Sequence, residues 1–124
     1  EYINNNHPEI TLKNCGVDST ESVDYPDIAA TVCEQVLETK GLGILCCGTG
    51  IGMSMKANRY KGIRAALVYD VATATLTKQH NNANVLCMGG RTHTVDEVTS
   101  MIEAWLTTEF EGDRHERRLE KLDN

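Results

Sequence analysis

Gly43-Ile44-Leu45-Cys46-Cys47-Gly48-Thr49-Gly50-Ile51-Gly52-Met53-Ser54 is the stretch that decides the fold class. Its first five residues form a continuous apolar run without alternation, the pattern of a strand covered on both faces. The glycines that follow turn the chain, and Met53 to Arg59 reads as a helix. A buried strand that passes through a glycine-rich turn into a helix is the opening half of a β-α-β unit.

The same alternation continues outward. Ile63 to Tyr69 reads as a second buried strand, Val71 to Gln79 as a threonine-rich helix, and Val85-Leu86-Cys87-Met88 as another strand. Thr94-Val95-Asp96-Glu97 has the capping-box pattern, a hydroxyl followed three residues later by Glu. It heads an amphipathic helix carrying Val95, Val98, Met101, Ile102, Trp105 and Leu106, and a highly charged last helix follows Gly112. Upstream, Tyr25-Pro26-Asp27 opens a helix with Pro26 in its first turn, where a missing N–H costs nothing. Residues 17–24 read as a polar loop, Ile10-Thr11-Leu12 as a short strand, and Glu1-Tyr2-Ile3-Asn4 as the tail of a helix. The expected fold is α/β, a three-layer α/β/α Rossmann-like (flavodoxin-like) arrangement with a parallel sheet. In such folds ligands bind beyond the carboxyl ends of the strands. The informative loops are those after Cys47, Tyr69 and Met88.

At 124 residues the chain is one domain, 1–124, long enough for a sizeable core. Its net charge of −6 argues against nucleic acid as a partner. It leaves room for a small anion held by a local arginine cluster. No apolar run approaches the roughly 20 residues that cross a membrane, so no membrane association is expected. The five cysteines, Cys15, Cys33, Cys46, Cys47 and Cys87, are odd in number and contain no CxxC pair. That suggests neither a disulfide framework nor a zinc site and fits the reducing cytoplasm. Cys33, Cys46 and Cys87 read as small buried hydrophobes.

Three features bear chemistry. The Cys47–Gly52 loop brings backbone N–H groups close to a ligand and suits an oxyanion or a phosphate. It is not a Walker loop, because no Gly-Lys-Ser/Thr follows. Cys47 at its mouth is a candidate base or nucleophile; a random cysteine ending a strand is more often just buried. His80 is a candidate acid–base group, although a helix-ending histidine before an Asn-rich turn is more often a solvated cap. Arg114, Arg117, Arg118 and Lys121 form one basic stripe on the last helix. Such a stripe suits phosphate, or it is a solvated face balanced by Glu116 and Glu120.

Together these residues resemble a known family. Cys47 to Ser54, Ala57-Asn58, Gly62-Ile63-Arg64-Ala65-Ala66, Gln79-His80-Asn81, Asn84-Val85-Leu86, Gly89-Gly90-Arg91 and Glu111-Gly112-Asp113-Arg114-His115, with Asp24-Tyr25-Pro26, are similar to type B ribose-5-phosphate isomerases. The likeness runs from about Asp18 to the end. It implies an aldose–ketose isomerase of the pentose phosphate pathway, acting on a phosphorylated pentose without metal or organic cofactor. One subtype of the family uses a Cys before the Gly-Thr/Ser-Gly loop, the other a Glu at the position that Met53 occupies here. The resemblance is therefore to the Cys subtype. It implies Cys47 as the base moving a proton through a cis-enediolate, with Thr49 and His80 opening the furanose ring. Amides around Gly48 and Gly52, with Asn81, would hold the enediolate oxygens. Tyr25 would line the sugar site, and Arg91, Arg114 and Arg118 would clamp the phosphate. A homodimer, or a tetramer built from it, is implied, with the helix in 112–124 reaching the partner's site.

Family members begin with a strand ending in Gly-x-Asp-His and then a helix, and residues 1–9 do not match it. An upstream strand–helix unit is therefore expected to precede Glu1. In a flavodoxin-like order, 2-1-3-4-5, that strand would be central. Two other readings stand beside the main one. The first is an isomerase of allose- or galactose-6-phosphate. The second is a non-catalytic phosphosugar-binding protein.

Overall fold

The computed structural model describes residues 2–16 and 24–123. Most of the loop expected at 17–24 lies outside that range. Six helices and three strands follow in chain order: α1 (Tyr2–Asn6), α2 (Tyr25–Thr39), β1 (Gly43–Cys47), α3 (Ile51–Ala57), β2 (Ala65–Leu67), α4 (Val71–Gln79), β3 (Val85–Gly89), α5 (Val95–Thr107) and α6 (Arg114–Asp123).

β3 is buried along its whole length because it is the middle strand. Both neighbours run parallel to it: Gly43 to Cys47 stand level with Val85 to Gly89, and Ala65 to Leu67 with Val85 to Cys87. Successive side chains of β3 face opposite ways. Val85 and Cys87 join Ala29, Cys33, Val36, Met53 and Ala57 in a core layer under α2 and α3. Leu86 and Met88 join Ala74, Met101, Ile102 and Trp105 in a second layer under α4 and α5. The three expected layers are therefore present.

The strand order is not the expected one. The expected order would set the strand after α3 beside β1, but β3 occupies that place. The chain steps from β1 past the position of β3 to β2, then returns. A right-handed crossover puts its helix on one face when it steps one way and on the other when it steps back. α3 and α4 lie on opposite faces accordingly.

Two more expectations change. Ile10-Thr11-Leu12 is not a strand. Ile10 N–H instead donates to the His7 carbonyl at 3.0 Å, and a strand exists only through a ladder partner, which these residues lack among the described ones. The strand expected at 63–69 shrinks to Ala65–Leu67. There the Asn58 side chain exchanges two hydrogen bonds with the Ala65 backbone, at 2.8 and 2.9 Å, and so occupies the outer edge.

The helix ends obey local chemistry. The capping box at Thr94 and Glu97 forms, and a second one forms at Asp70 and Thr73. Each holds its carboxylate below the usual range through hydrogen bonds from the partner threonine.

α1 is tied to α5 by polar contacts. His7 Nε2 lies 2.6 Å from Glu103 Oε2, and Tyr2 O–H donates to the same oxygen at 2.8 Å. The hydrogen bond to Glu103 raises His7 above the ordinary histidine value, and the contacts with His7 and Tyr2 lower Glu103. The raised His7 adds stability in full below the unfolded histidine value, and that stability disappears as pH rises through the folded one. The lowered Glu103 sets the acid limit, its share being lost as pH falls through its own folded value. The melting temperature gap between wild type and His7→Gln should therefore be wider near about pH 6 than near about pH 9. Thermal melts at both pH values check this, and an equal gap would contradict the pair.

Candidate active site

The loop after β1 leads into α3 on one face of the sheet, and the loop after β3 leads into α5 on the other. β1 and β3 are neighbours, so their loops part to opposite faces of the sheet here. This is the topological switch point at which open α/β sheets hold ligands. Two backbone bonds join the loops at their base: Gly90 N–H to the Cys47 carbonyl at 2.7 Å and Arg91 N–H to the Gly48 carbonyl at 3.1 Å.

Glycine is needed at two positions here. Gly50 has φ of 82°, and a Cβ on it would lie 2.8 Å from both the Met88 carbonyl carbon and a Leu67 methyl. A Cβ on Gly52 would lie 2.6 Å from Cε1 of Tyr25, so the Tyr25 ring rests directly on the loop.

Cys47 is half-buried, and the Gly50 N–H donates to its sulfur at 3.1 Å. A thiolate accepts such a bond more strongly than a thiol. Thr49 is exposed and its Oγ1 accepts from Ile51 N–H at 3.3 Å. The Arg91 side chain lies over Gly48: a Cβ on Gly48 would be 3.4 Å from Cδ and from one terminal nitrogen of Arg91. Cys47, Gly48, Thr49, Gly52, Tyr25 and Arg91 are therefore brought together as expected. Burial raises the Cys33 thiol and pushes the Cys87 thiol up to about 12, which leaves both inert.

Cys46 departs from expectation. It stands level with Met88, on the α4 and α5 face. Those helices do not cover it, and among the described residues β1 is an edge strand, so Cys46 is exposed instead of buried.

His93 was not singled out in the sequence. Its Nε2 lies 3.0 Å from the Tyr69 carbonyl and its Nδ1 3.2 Å from the Gly89 carbonyl. The ring thus ties the loop after β2 to the loop that carries Arg91. Only its position two residues beyond Arg91 hinted at this.

The remaining expected residues lie elsewhere. α4 starts at the carboxyl end of β2 and runs back to the amino end of β3. His80 follows α4, with its N–H bonded to the Leu76 carbonyl at 2.9 Å, and Asn81 comes next. Cys47 is level with Gly89, at the other end of β3. A five-residue strand spans about 13 Å, so within one chain His80 and Asn81 stand at the opposite end of the strands from Cys47.

The last helix joins this second group. Glu111 N–H donates to the Gln79 carbonyl at 3.0 Å, and the His80 and His115 rings stack with centroids 4.4 Å apart and planes 14° apart. Glu111 Oε1 lies 3.7 Å from His80 Nε2 and 3.6 Å from His115 Nε2. His115 is buried, and that burial, with His80 and Arg114 adding to it, holds it below the ordinary histidine value. Glu111 and His115 belong to a stretch that carries the resemblance, but neither was a candidate site residue.

The three ligand atoms of this cluster lie within 4.8 Å, and two imidazoles with a carboxylate are a donor set that zinc accepts. Near-parallel rings, however, direct their in-plane lone pairs side by side and not to one point. The arrangement is a stack and not a coordination sphere. Arg114, Arg117 and Arg118 are exposed, and no carboxylate among the described residues pairs with any of them. The stripe therefore keeps its donors available to an anion.

The chain matches the family model described as Ribose/Galactose Isomerase over residues 1–122. It is 41% identical over 109 residues to ribose-5-phosphate isomerase B of Escherichia coli, covering 86% of this chain and 72% of that protein. The structure resembles a ribose 5-phosphate isomerase from Thermotoga maritima with a TM-score of 0.93 and 45% identity, over 98% of this chain and 83% of that one. It also resembles ribose-5-phosphate isomerase B from Mycoplasma genitalium, solved with bound ribulose-5-phosphate. There the TM-score is 0.84 and the identity 44%, over 87% of this chain and 73% of that one.

Replacing Gly50 by Ala forces a side chain into the left-handed region against the Met88 backbone. A loss of about 1–3 kcal/mol is expected, read from urea unfolding. A change below about 0.5 kcal/mol, the level of an ordinary surface substitution, would contradict the geometry.

Proposed function

The chain belongs to the ribose/galactose isomerase family and is an aldose–ketose isomerase that interconverts ribose 5-phosphate and ribulose 5-phosphate, and we propose that Cys47 carries the proton in this reaction and that each active centre is assembled from two copies of the chain. The observation that carries the proposal is the position of Cys47 at the switch point between β1 and β3, with the Gly50 N–H aimed at its sulfur at 3.1 Å.

Isomerisation requires a proton to leave C2 of the open-chain aldose and one to arrive at C1. The Cys47 thiolate takes the C2 proton and becomes a thiol. The electron pair forms the C1–C2 double bond of an enediolate, with its charge on the former carbonyl oxygen. A proton passes from O2 to O1, the thiol returns its proton to C1, and a carbonyl is left at C2. One base on one face of the sugar serves both transfers, which suits a cis-enediolate. Amides around Gly48 and Gly52 are the donors on this chain for the enediolate oxygens. Tyr25, packed on Gly52, lines the sugar, and Arg91 over Gly48 reaches the phosphate.

Ring opening comes first. It removes a proton from the anomeric hydroxyl and delivers one to the ring oxygen, the task assigned to Thr49 and His80. His80 and Asn81 stand at the amino end of the sheet, as does the start of α6 with Arg114 and Arg118. A two-fold partner satisfies both ends at once, setting the amino-end group of each copy against the Cys47 loop of the other. His80 and Asn81 then join the last-helix arginines as contributions from the partner. The last helix, in 112–124, is the element that carries those arginines across. The free cysteines suit a reducing compartment, the cytoplasm.

Cys47→Ala should lower turnover of ribose 5-phosphate by at least about a hundredfold, the scale of a lost acid–base group, while the sugar phosphate still binds. Cys46→Ala, on the opposite face of β1, should keep turnover within about twofold of wild type, since surface substitutions change little. Steady-state rates and equilibrium binding test both, and a fully active Cys47→Ala protein would exclude the proposed base.

A further inference from the structure

His115 and Glu111 take no part in the steps above, yet the fold makes specific provision for them. Gly112 and Asp113 both have positive φ, 74° and 52°. Two left-handed residues in succession reverse the chain sharply and start α6 directly over the end of α4. Three contacts hold it there. Glu111 N–H donates to the Gln79 carbonyl, one residue before His80, at 3.0 Å. Leu119 is buried one turn beyond His115. Arg64 pairs with Asp123 at 3.0 Å at the far end of the helix. The outcome is a polar ring, His115, only 7% exposed and lying flat on His80.

We propose that His115 is a positioning residue for His80: its ring is the plate on which the His80 imidazole lies, with the Glu111 carboxylate placed at the shared Nε2 edge. This rests on the reading that His80 acts in ring opening. A histidine that ends a helix and is half exposed is free to change rotamer. Stacking covers one face of such a ring and limits its rotation, while the ring edge, which carries both nitrogens, stays open. A proton donor to a furanose oxygen needs that combination of a fixed plane and an accessible edge. The Glu111 oxygen, 3.6–3.7 Å from both Nε2 atoms, further fixes which edge points inward.

The chemistry of the two substrates separates positioning from a purely structural role. Ribose 5-phosphate is mainly a furanose and must be opened. Ribulose 5-phosphate has its C5 hydroxyl phosphorylated, cannot close a furanose, and enters the reaction as an open chain. Exchange of its C1 hydrogen for solvent deuterium needs only the enediolate step and no ring step. Turnover of ribose 5-phosphate and deuterium exchange into ribulose 5-phosphate are therefore measured for wild type, His115→Ala, His115→Phe, Glu111→Gln and His80→Ala.

His115→Ala should slow the reaction from ribose 5-phosphate by about 10- to 100-fold, the scale of a misplaced catalytic group. Deuterium exchange into ribulose 5-phosphate should change by less than about threefold. His115→Phe keeps a flat plate and should restore most of the loss. An unchanged turnover of ribose 5-phosphate, an equal loss of turnover and of deuterium exchange, or a Phe variant as impaired as the Ala variant would each overturn the proposal. Should His115→Ala fail to fold, Glu111→Gln carries the test from an exposed position. The same loss of turnover without loss of exchange is expected there, and an unchanged turnover overturns the proposal. A fully active His80→Ala protein would remove the reading of His80 itself, and the positioning role with it. An impaired His80→Ala protein beside an unaffected His115→Ala protein would remove only the positioning role.

Discussion

The close approach of the carboxyl ends of β1 and β3 is the constraint on which the rest of the site depends. A Cβ on Gly89 would lie 3.0 Å from the Gly48 carbonyl oxygen, so the two turns touch backbone to backbone. That contact sets Cys47 level with Gly89, lets Gly90 N–H reach the Cys47 carbonyl, and brings the Arg91 side chain over Gly48. The crossover rule supplies the same geometry from a larger scale. Because β3 fills the place between β1 and β2, the loops after β1 and β3 diverge to opposite faces, and the point where they part is the proposed ligand site.

Much of this was legible in the sequence, and the reasons are local. The unalternating run Gly43 to Cys47 read as a doubly covered strand, and it is a strand, although its Cys46 stays exposed on one face. Pro26 and the Thr94–Glu97 pair marked helix starts that the structure keeps. The chemistry-bearing loop was visible because glycines at close spacing, next to a cysteine, have few purely structural explanations. Features set by distant neighbours were not legible. Strand order depends on which way a crossover steps, and no residue encodes that by itself. The exposure of Cys46 depends on where α4 and α5 stop, and the shortness of β2 on Asn58 taking its edge. The Asp70–Thr73 capping box was missed because a threonine, not a Glu, closes it.

The proposed site residues divide between two ends of the sheet. Read along the chain, His80 and Cys47 are parts of one motif set. In three dimensions α4 carries His80 away from Cys47 by the length of β3, and α6 gathers to it. A parallel sheet allows this because every helix returns the chain to the amino end before the next strand. In a two-fold assembly the same separation brings each half into use, since each chain offers one half-site at either end. On the proposed pairing, the basic stripe of α6 would face the substrate phosphate in an otherwise acidic chain. Arg114 and Arg118 have no carboxylate partner among the described residues, and a phosphate placed by the opposing loop would supply the missing anion.

Mixing two inactive variants tests this shared centre most directly. Cys47→Ala protein and His80→Ala protein, unfolded together and refolded at equal concentration, should yield mixed dimers in which one of the two centres contains both intact residues. Random pairing makes about half of the dimers mixed, so the mixture should recover about a quarter of wild-type turnover. A mixture no more active than its separate components, with mixed dimers shown to have formed, would contradict a centre built from two chains.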